Sequence, residues 1–82
     1  MNLPNNYWKV ELKIFYEKDH ISHIEKDFYT TKEGAEKCFH NRFEIAEYGY
    51  LQSRFDKYTL VLAECDTEKK LTRIHKTREA PL

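Results

Sequence analysis

From Tyr7 to Tyr16 the chain alternates, with Trp8, Val10, Leu12, Ile14 and Tyr16 separated by Lys9, Glu11 and Lys13. A period of two sends neighbouring side chains to opposite faces, so this run predicts a half-buried strand. Glu17-Lys18-Asp19-His20 reads as a polar turn. Ile21 to Tyr29 follows as a second strand, with Ser22, Ile24, Lys26 and Phe28 on one face. Its charge density suits a sheet edge, and the short connection makes the pair a hairpin. The period then changes. Ala35, Cys38, Phe39, Phe43 and Ala46 recur at three- and four-residue spacing, the apolar stripe of a helix lying on a core. Thr30-Thr31-Lys32-Glu33 supplies the start as a capping box, with Thr30 as the cap and Glu33 reaching back to it. Gly34 weakens the first turn. Gly49 predicts the stop, in the left-handed conformation common past helix ends.

Tyr50 to Lys57 fits a loop or a short helical turn equally well, since Leu51 and Phe55 stand four apart. Tyr58 to Cys65 is nearly unbroken in apolar and β-favouring residues, as in a strand covered on both faces, and belongs at the centre of a sheet. Asp66-Thr67-Glu68-Lys69 is a turn. Lys70 to Thr77 is a last strand, with Leu71 and Ile74 on opposite faces. Arg78 to Leu82 reads as a loose end, as do residues 1–6. The order is β-β-α-β-β. Residues 1–82 thus form a single α+β domain, two hairpins joined through their long strands into a four-stranded antiparallel sheet with one helix across a face.

Composition narrows the function. A chain of this length buries roughly two-thirds of its unfolded surface, so the core is thin. Trp8, six tyrosines and five phenylalanines are many rings for such a core. Some, tyrosines first, are expected at the surface, where they favour recognition. Fourteen basic and fourteen acidic residues cancel, which argues against a strongly basic nucleic-acid wrapper. A pI near 6.9 leaves little repulsion between copies, so a homo-oligomer pairing its free strands is one expectation. Cys38 and Cys65 fall on apolar faces as small hydrophobes rather than as a disulfide framework.

No catalytic, metal or cofactor site is expected. His20 and His23 have no further ligands beside them, and Cys38 and His40, two apart on a helix, point different ways. Two glycines do not make a phosphate-cradling loop. The pattern therefore favours binding over turnover. Tyr48, Tyr50, Leu51 and Phe55, just past the helical stripe, are the candidate apolar anchors for a protein partner. Glu33, Glu36, Glu44 and Glu47 outnumber Lys32, Lys37 and Arg42 on the helix. Lys69, Lys70, Arg73, Lys76 and Arg78 run with no acid between them. Such a dipolar molecule suits oriented docking to a protein. The basic strand, with Lys9 and Lys13 on a neighbouring strand and Tyr7 or Phe15 for stacking, is the alternative, a nucleic-acid platform. No apolar run approaches the roughly 20 residues of a bilayer span, and the first residues lack a basic segment before an apolar one. A cytoplasmic location is expected.

A compact chain of this length, with Glu47-Tyr48-Gly49-Tyr50-Leu51 after an amphipathic helix, resembles the lysis-inhibition accessory proteins of T-even bacteriophages. The resemblance covers the full length through size and general character and transfers no individual residue. It implies a cytoplasmic antiholin, which binds the short cytoplasmic segment of a phage holin and delays hole formation. The same character suits other small phage-type inhibitors of host enzymes.

Overall fold

A computed structural model describes residues 6–17 and 20–81. Strands β1 (Tyr7–Glu17) and β2 (His20–Tyr29), helix α1 (Lys32–Leu51), and strands β3 (Lys57–Cys65) and β4 (Leu71–Ala80) follow in that order. The strands form one antiparallel sheet ordered β2-β1-β3-β4, and α1 packs on one face. The polar connection predicted between the first two strands includes residues 18 and 19, which lie outside the described residues. Residues 1–5 and 82, read as loose ends, lie outside them too.

The alternation of β1 decides which face is which. Val10, Leu12 and Ile14 stand opposite Leu62, Leu60 and Tyr58 of β3. These meet Ala35, Phe39 and Ala46 of α1 in one buried cluster, with Cys38 and Phe43 partly buried beside it. The helical stripe read from spacing therefore faces the core. Phe15, Ala63 and Cys65 are buried as well, but outside this cluster. Register puts them on the opposite face of the sheet, which no second layer covers among the described residues. β3 is central, as its composition predicts; its helix side is buried at Tyr58, Leu60 and Leu62, while on the open side Ala63 and Cys65 are buried and Thr59 and Val61 only half-buried.

Several local expectations are corrected. The helix cap is Thr31, not Thr30. Its extended backbone lets the side-chain oxygen accept from the Gly34 N–H at 3.1 Å, leaving Glu33 in the first turn rather than at the capping-box position. Gly49 does not end the helix. It lies buried within α1 because a Cβ there would stand 2.6 Å from Cε1 of Phe55. The stop comes at Gln52, and Ser53 takes the left-handed conformation (φ 57°). The Ser53 N–H donates to the Tyr50 carbonyl and the Arg54 N–H to that of Gly49, both at 3.0 Å, a Schellman closure without glycine.

β4 is longer than its pattern suggests and bent. Arg78 to Ala80 are not a loose end: they pair with Leu60, Thr59 and Tyr58, and Ala80 is buried. Asn6 is likewise tied down, donating through Nδ2 to Glu64. Register shifts between Leu62/Ala63 and Glu64/Cys65 insert extra residues into β4, so Leu71 and Ile74 both lie opposite residues of the open face. The alternation argument had put them on opposite faces. His20, read as the end of the polar turn, is the first residue of β2.

Candidate functional site

The Schellman turn folds the chain back over the end of α1 and brings Phe55 against Gly49. Phe55 meets Tyr58 and Tyr16 edge-on, each with ring centroids 6.3 Å apart. Between this ring and the outer side of the helix lies an open groove of about 420 Å³, walled by Tyr16, Ile45, Tyr48, Arg54 and Phe55. The Arg54 guanidinium rests over the Tyr48 ring, 5.5 Å from its centroid. Ile45 and Tyr48 are 61% and 58% exposed.

The four candidate anchors divide into two pairs. Tyr50 and Phe55 pack against the core, whereas Tyr48 and Leu51 point into solvent. Tyr48 and Phe55 meet at the groove, and Tyr50 and Leu51 line a second hollow with Phe55. Ile45 and Tyr16, both groove walls, escape sequence reading. Ile45 lies off the helical stripe with nothing to mark it, and Tyr16 ends a strand read as core-facing.

Beneath the groove, Tyr58 is anchored by donating its hydroxyl to the Glu47 carboxylate. Burial, then that bond, pushes its pKa well above the ordinary tyrosine value. On the other flank of the helix, Arg42 reaches Glu25 at 3.2 Å and Asp27 at 3.3 Å, clamping α1 to β2. Burial works against its charge, but the two carboxylates more than offset it and raise its pKa. Tyr29 beside this clamp is pushed up to about 12, by its hydrogen bond with Cys38 and then by burial.

The basic run is brought together only in part: Arg73, Lys76 and Arg78 share the helix side of β4. Lys76 pairs with Glu36 of α1 at 3.6 Å, and Arg78 lies over Phe39 and Phe43 of the helix, at 5.9 and 5.6 Å. Arg73 stands opposite Glu64, and Lys70 pairs with Glu68 at 3.5 Å. Lys69, left-handed in the β3–β4 turn, points to the other face. β3 separates β4 from Lys9 and Lys13, which an expected basic surface would have joined. Three of the four helix glutamates are similarly engaged: Glu36 with Lys76, Glu44 with His40 at 2.9 Å, and Glu47 with Tyr58. Both faces of the expected dipole are partly neutralised within the molecule.

His75 sits at 4.7 Å from the Trp8 ring and 3.2 Å from Glu64. Its hydrogen bond, with that of Asn6, holds the Glu64 carboxyl below the usual range. Burial pushes the Cys65 thiol up, which makes it a poor nucleophile. Among the described residues there is no cluster of three or more His, Cys, Asp or Glu that could hold a metal ion. No helix of the described residues is long and apolar enough to cross a membrane. Comparison with family models, curated proteins and solved structures finds no match.

Proposed function

We propose that the protein is a regulator that works by occupancy, holding a segment of a partner protein in the groove at the C-terminal end of α1. The observation that carries this reading is the exposure of Ile45 and Tyr48 beside the packed Phe55 ring. Large apolar groups gathered at one exposed place mark interaction surfaces, and a rigid floor spares the partner the entropy of ordering it. Phe55, fixed against Gly49 and Tyr58, is that floor. Arg54 over Tyr48 adds a donor at the rim for a backbone carbonyl or carboxylate.

The resemblance to phage lysis-inhibition accessory proteins supplies the partner class, the cytoplasmic segment of a holin. Binding that segment would withhold the holin from assembly and delay hole formation, a task that needs no bond-making step. Pull-down with a synthetic holin cytoplasmic peptide tests the proposal. Binding on the order of tens of micromolar or tighter is expected, and Tyr48→Ala and Ile45→Ser should each weaken it about tenfold or more. Absence of binding in that range would sink the antiholin reading.

A further inference from the structure

The face of the sheet opposite α1 is built differently from the rest of the surface. Register places Lys9, Glu11, Lys13 and Phe15 of β1 on it. Beside them lie Ile21, Ile24, Lys26 and Phe28 of β2, and Ile74 and Leu71 lie beyond β3 on β4. Ile21, Ile24, Leu71 and Ile74 are each about half exposed, and Phe28 is 38% exposed. These apolar side chains form two rails along the edge strands. Between and around them stand five lysines: Lys9, Lys13, Lys26, Lys57 and Lys69.

The acids on this face are fewer, Glu11 and Glu79. Glu11 is only 14% exposed and is bridged by Lys13 at 3.9 Å and Lys26 at 3.6 Å, so its charge is largely spent internally. Lys57 lies over the Phe15 ring at 5.0 Å, and Lys69 over Tyr7 and Phe28 at 5.4 and 5.0 Å. Long lysine stems along apolar rings, with ammonium groups at the rim, are the arrangement that snorkelling side chains adopt at an interface between water and hydrocarbon.

Charge and shape decide the occupant. A second copy packed face to face would bring five lysines against five lysines, which like-charge repulsion opposes. A single nucleic-acid strand would need open rings for stacking, yet Phe15 is 8% exposed and the open rails are mainly aliphatic. An extended surface that is negative at its rim and apolar beneath matches both features. We propose that the open face of the sheet is a peripheral docking surface for an anionic lipid bilayer, with the aliphatic rails dipping into the interface and the lysines contacting headgroups.

The test is sedimentation of the full chain with vesicles of phosphatidylcholine alone and of phosphatidylcholine with about a third phosphatidylglycerol. Binding is expected only to the anionic vesicles, falling steeply with added salt. Neutralising Lys13, Lys26 and Lys69 to Gln should reduce partitioning about fivefold per lysine, roughly a hundredfold together. The same change at Lys37 and Lys70, off this face, should leave it unaltered. Ile24→Ser with Ile74→Ser should also weaken binding, and circular dichroism checks that each variant is folded. The proposal is overturned if anionic vesicles are not bound at low salt. It also fails if the serine changes have no effect in folded protein, or if a single-stranded oligonucleotide is bound and vesicles are not.

Discussion

Adding one methyl group at Gly49 tests how the end of α1 is built. An ideal Cβ at this position would stand 2.6 Å from Cε1 and 3.1 Å from Cζ of Phe55, well inside the roughly 3.5–4.0 Å of normal carbon contact. The ring must retreat by about an ångström. It has little room, held edge-on by Tyr16 and Tyr58. Overpacking of this kind costs about 1–3 kcal/mol. Alanine also improves the helix by about 1 kcal/mol over glycine, since residue 49 is helical with negative φ. The steric cost wins, so Gly49→Ala should destabilise the domain by about 1 kcal/mol. For a chain of this size that lowers Tm by roughly 4–8 °C. In a Phe55→Ala background the clash is gone and only the propensity remains. There Gly49→Ala should stabilise by about 1 kcal/mol, giving a coupling of about 2 kcal/mol by urea denaturation of all four proteins. Equal effects of Gly49→Ala in both backgrounds would refute the reasoning, since they would show that Phe55 does not limit the space at residue 49.

Other expectations follow from the same structure. Thr31→Ala should cost about 1 kcal/mol in urea unfolding, and Thr30→Ala much less, because only Thr31 caps the Gly34 N–H. Ser53→Gly should stabilise by about 1 kcal/mol, since φ 57° strains any residue with a Cβ. Tyr29 and Tyr58 both have phenols raised above the ordinary value of 10 in the fold, so the folded state holds protons that the unfolded chain has released. Both contributions are intact below pH 10; that of Tyr29 is lost as pH rises from 10 through about 12, and that of Tyr58 is lost at still higher pH. Tyr29→Phe and Tyr58→Phe should each flatten that alkaline loss when stability is followed against pH. A slope unchanged in both variants would show that neither phenol is perturbed.

Much of the fold is legible along the chain because its core faces are regular. The alternation of Trp8 to Ile14, the stripe from Ala35 to Ala46 and the apolar run from Tyr58 to Cys65 lie where pattern puts them, whereas Tyr16, at the end of the first, is 52% exposed. β4 is misread because two extra residues break the period. Alternation separates Leu71 from Ile74, whereas the bulged register unites them. Its last residues carry Arg78, Glu79 and Pro81, which look like tail chemistry. Pairing with β3 and the burial of Ala80 are tertiary facts with no local signature. Gly49 is misread because a glycine serving close packing and one serving a left-handed turn look alike in sequence.

The candidate surfaces are less legible for the same reason. Tyr48 and Phe55 stand out as surplus aromatics, but their division into exposed wall and packed floor depends on where the helix turn sends the chain. The basic run from Lys69 to Arg78 looks continuous in sequence. β4 carries Arg73, Lys76 and Arg78 to the helix side, where Glu64, Glu36 and the rings of Phe39 and Phe43 meet them, and the turn sends Lys69 to the other face. Conversely, the five lysines of the open face come from β1, β2, β3 and the β3–β4 turn, and only Lys69 belongs to the run that stands out as basic in the sequence.

The occupancy account rests on the groove at the end of α1, and amide NMR of the labelled protein titrated with a holin cytoplasmic peptide tests it most directly. The account predicts saturable shifts centred on Tyr16, Ile45, Tyr48, Arg54 and Phe55, abolished by Tyr48→Ala in a folded variant. Saturable binding whose shifts map elsewhere and survive Tyr48→Ala, or no shifts at all, would contradict it.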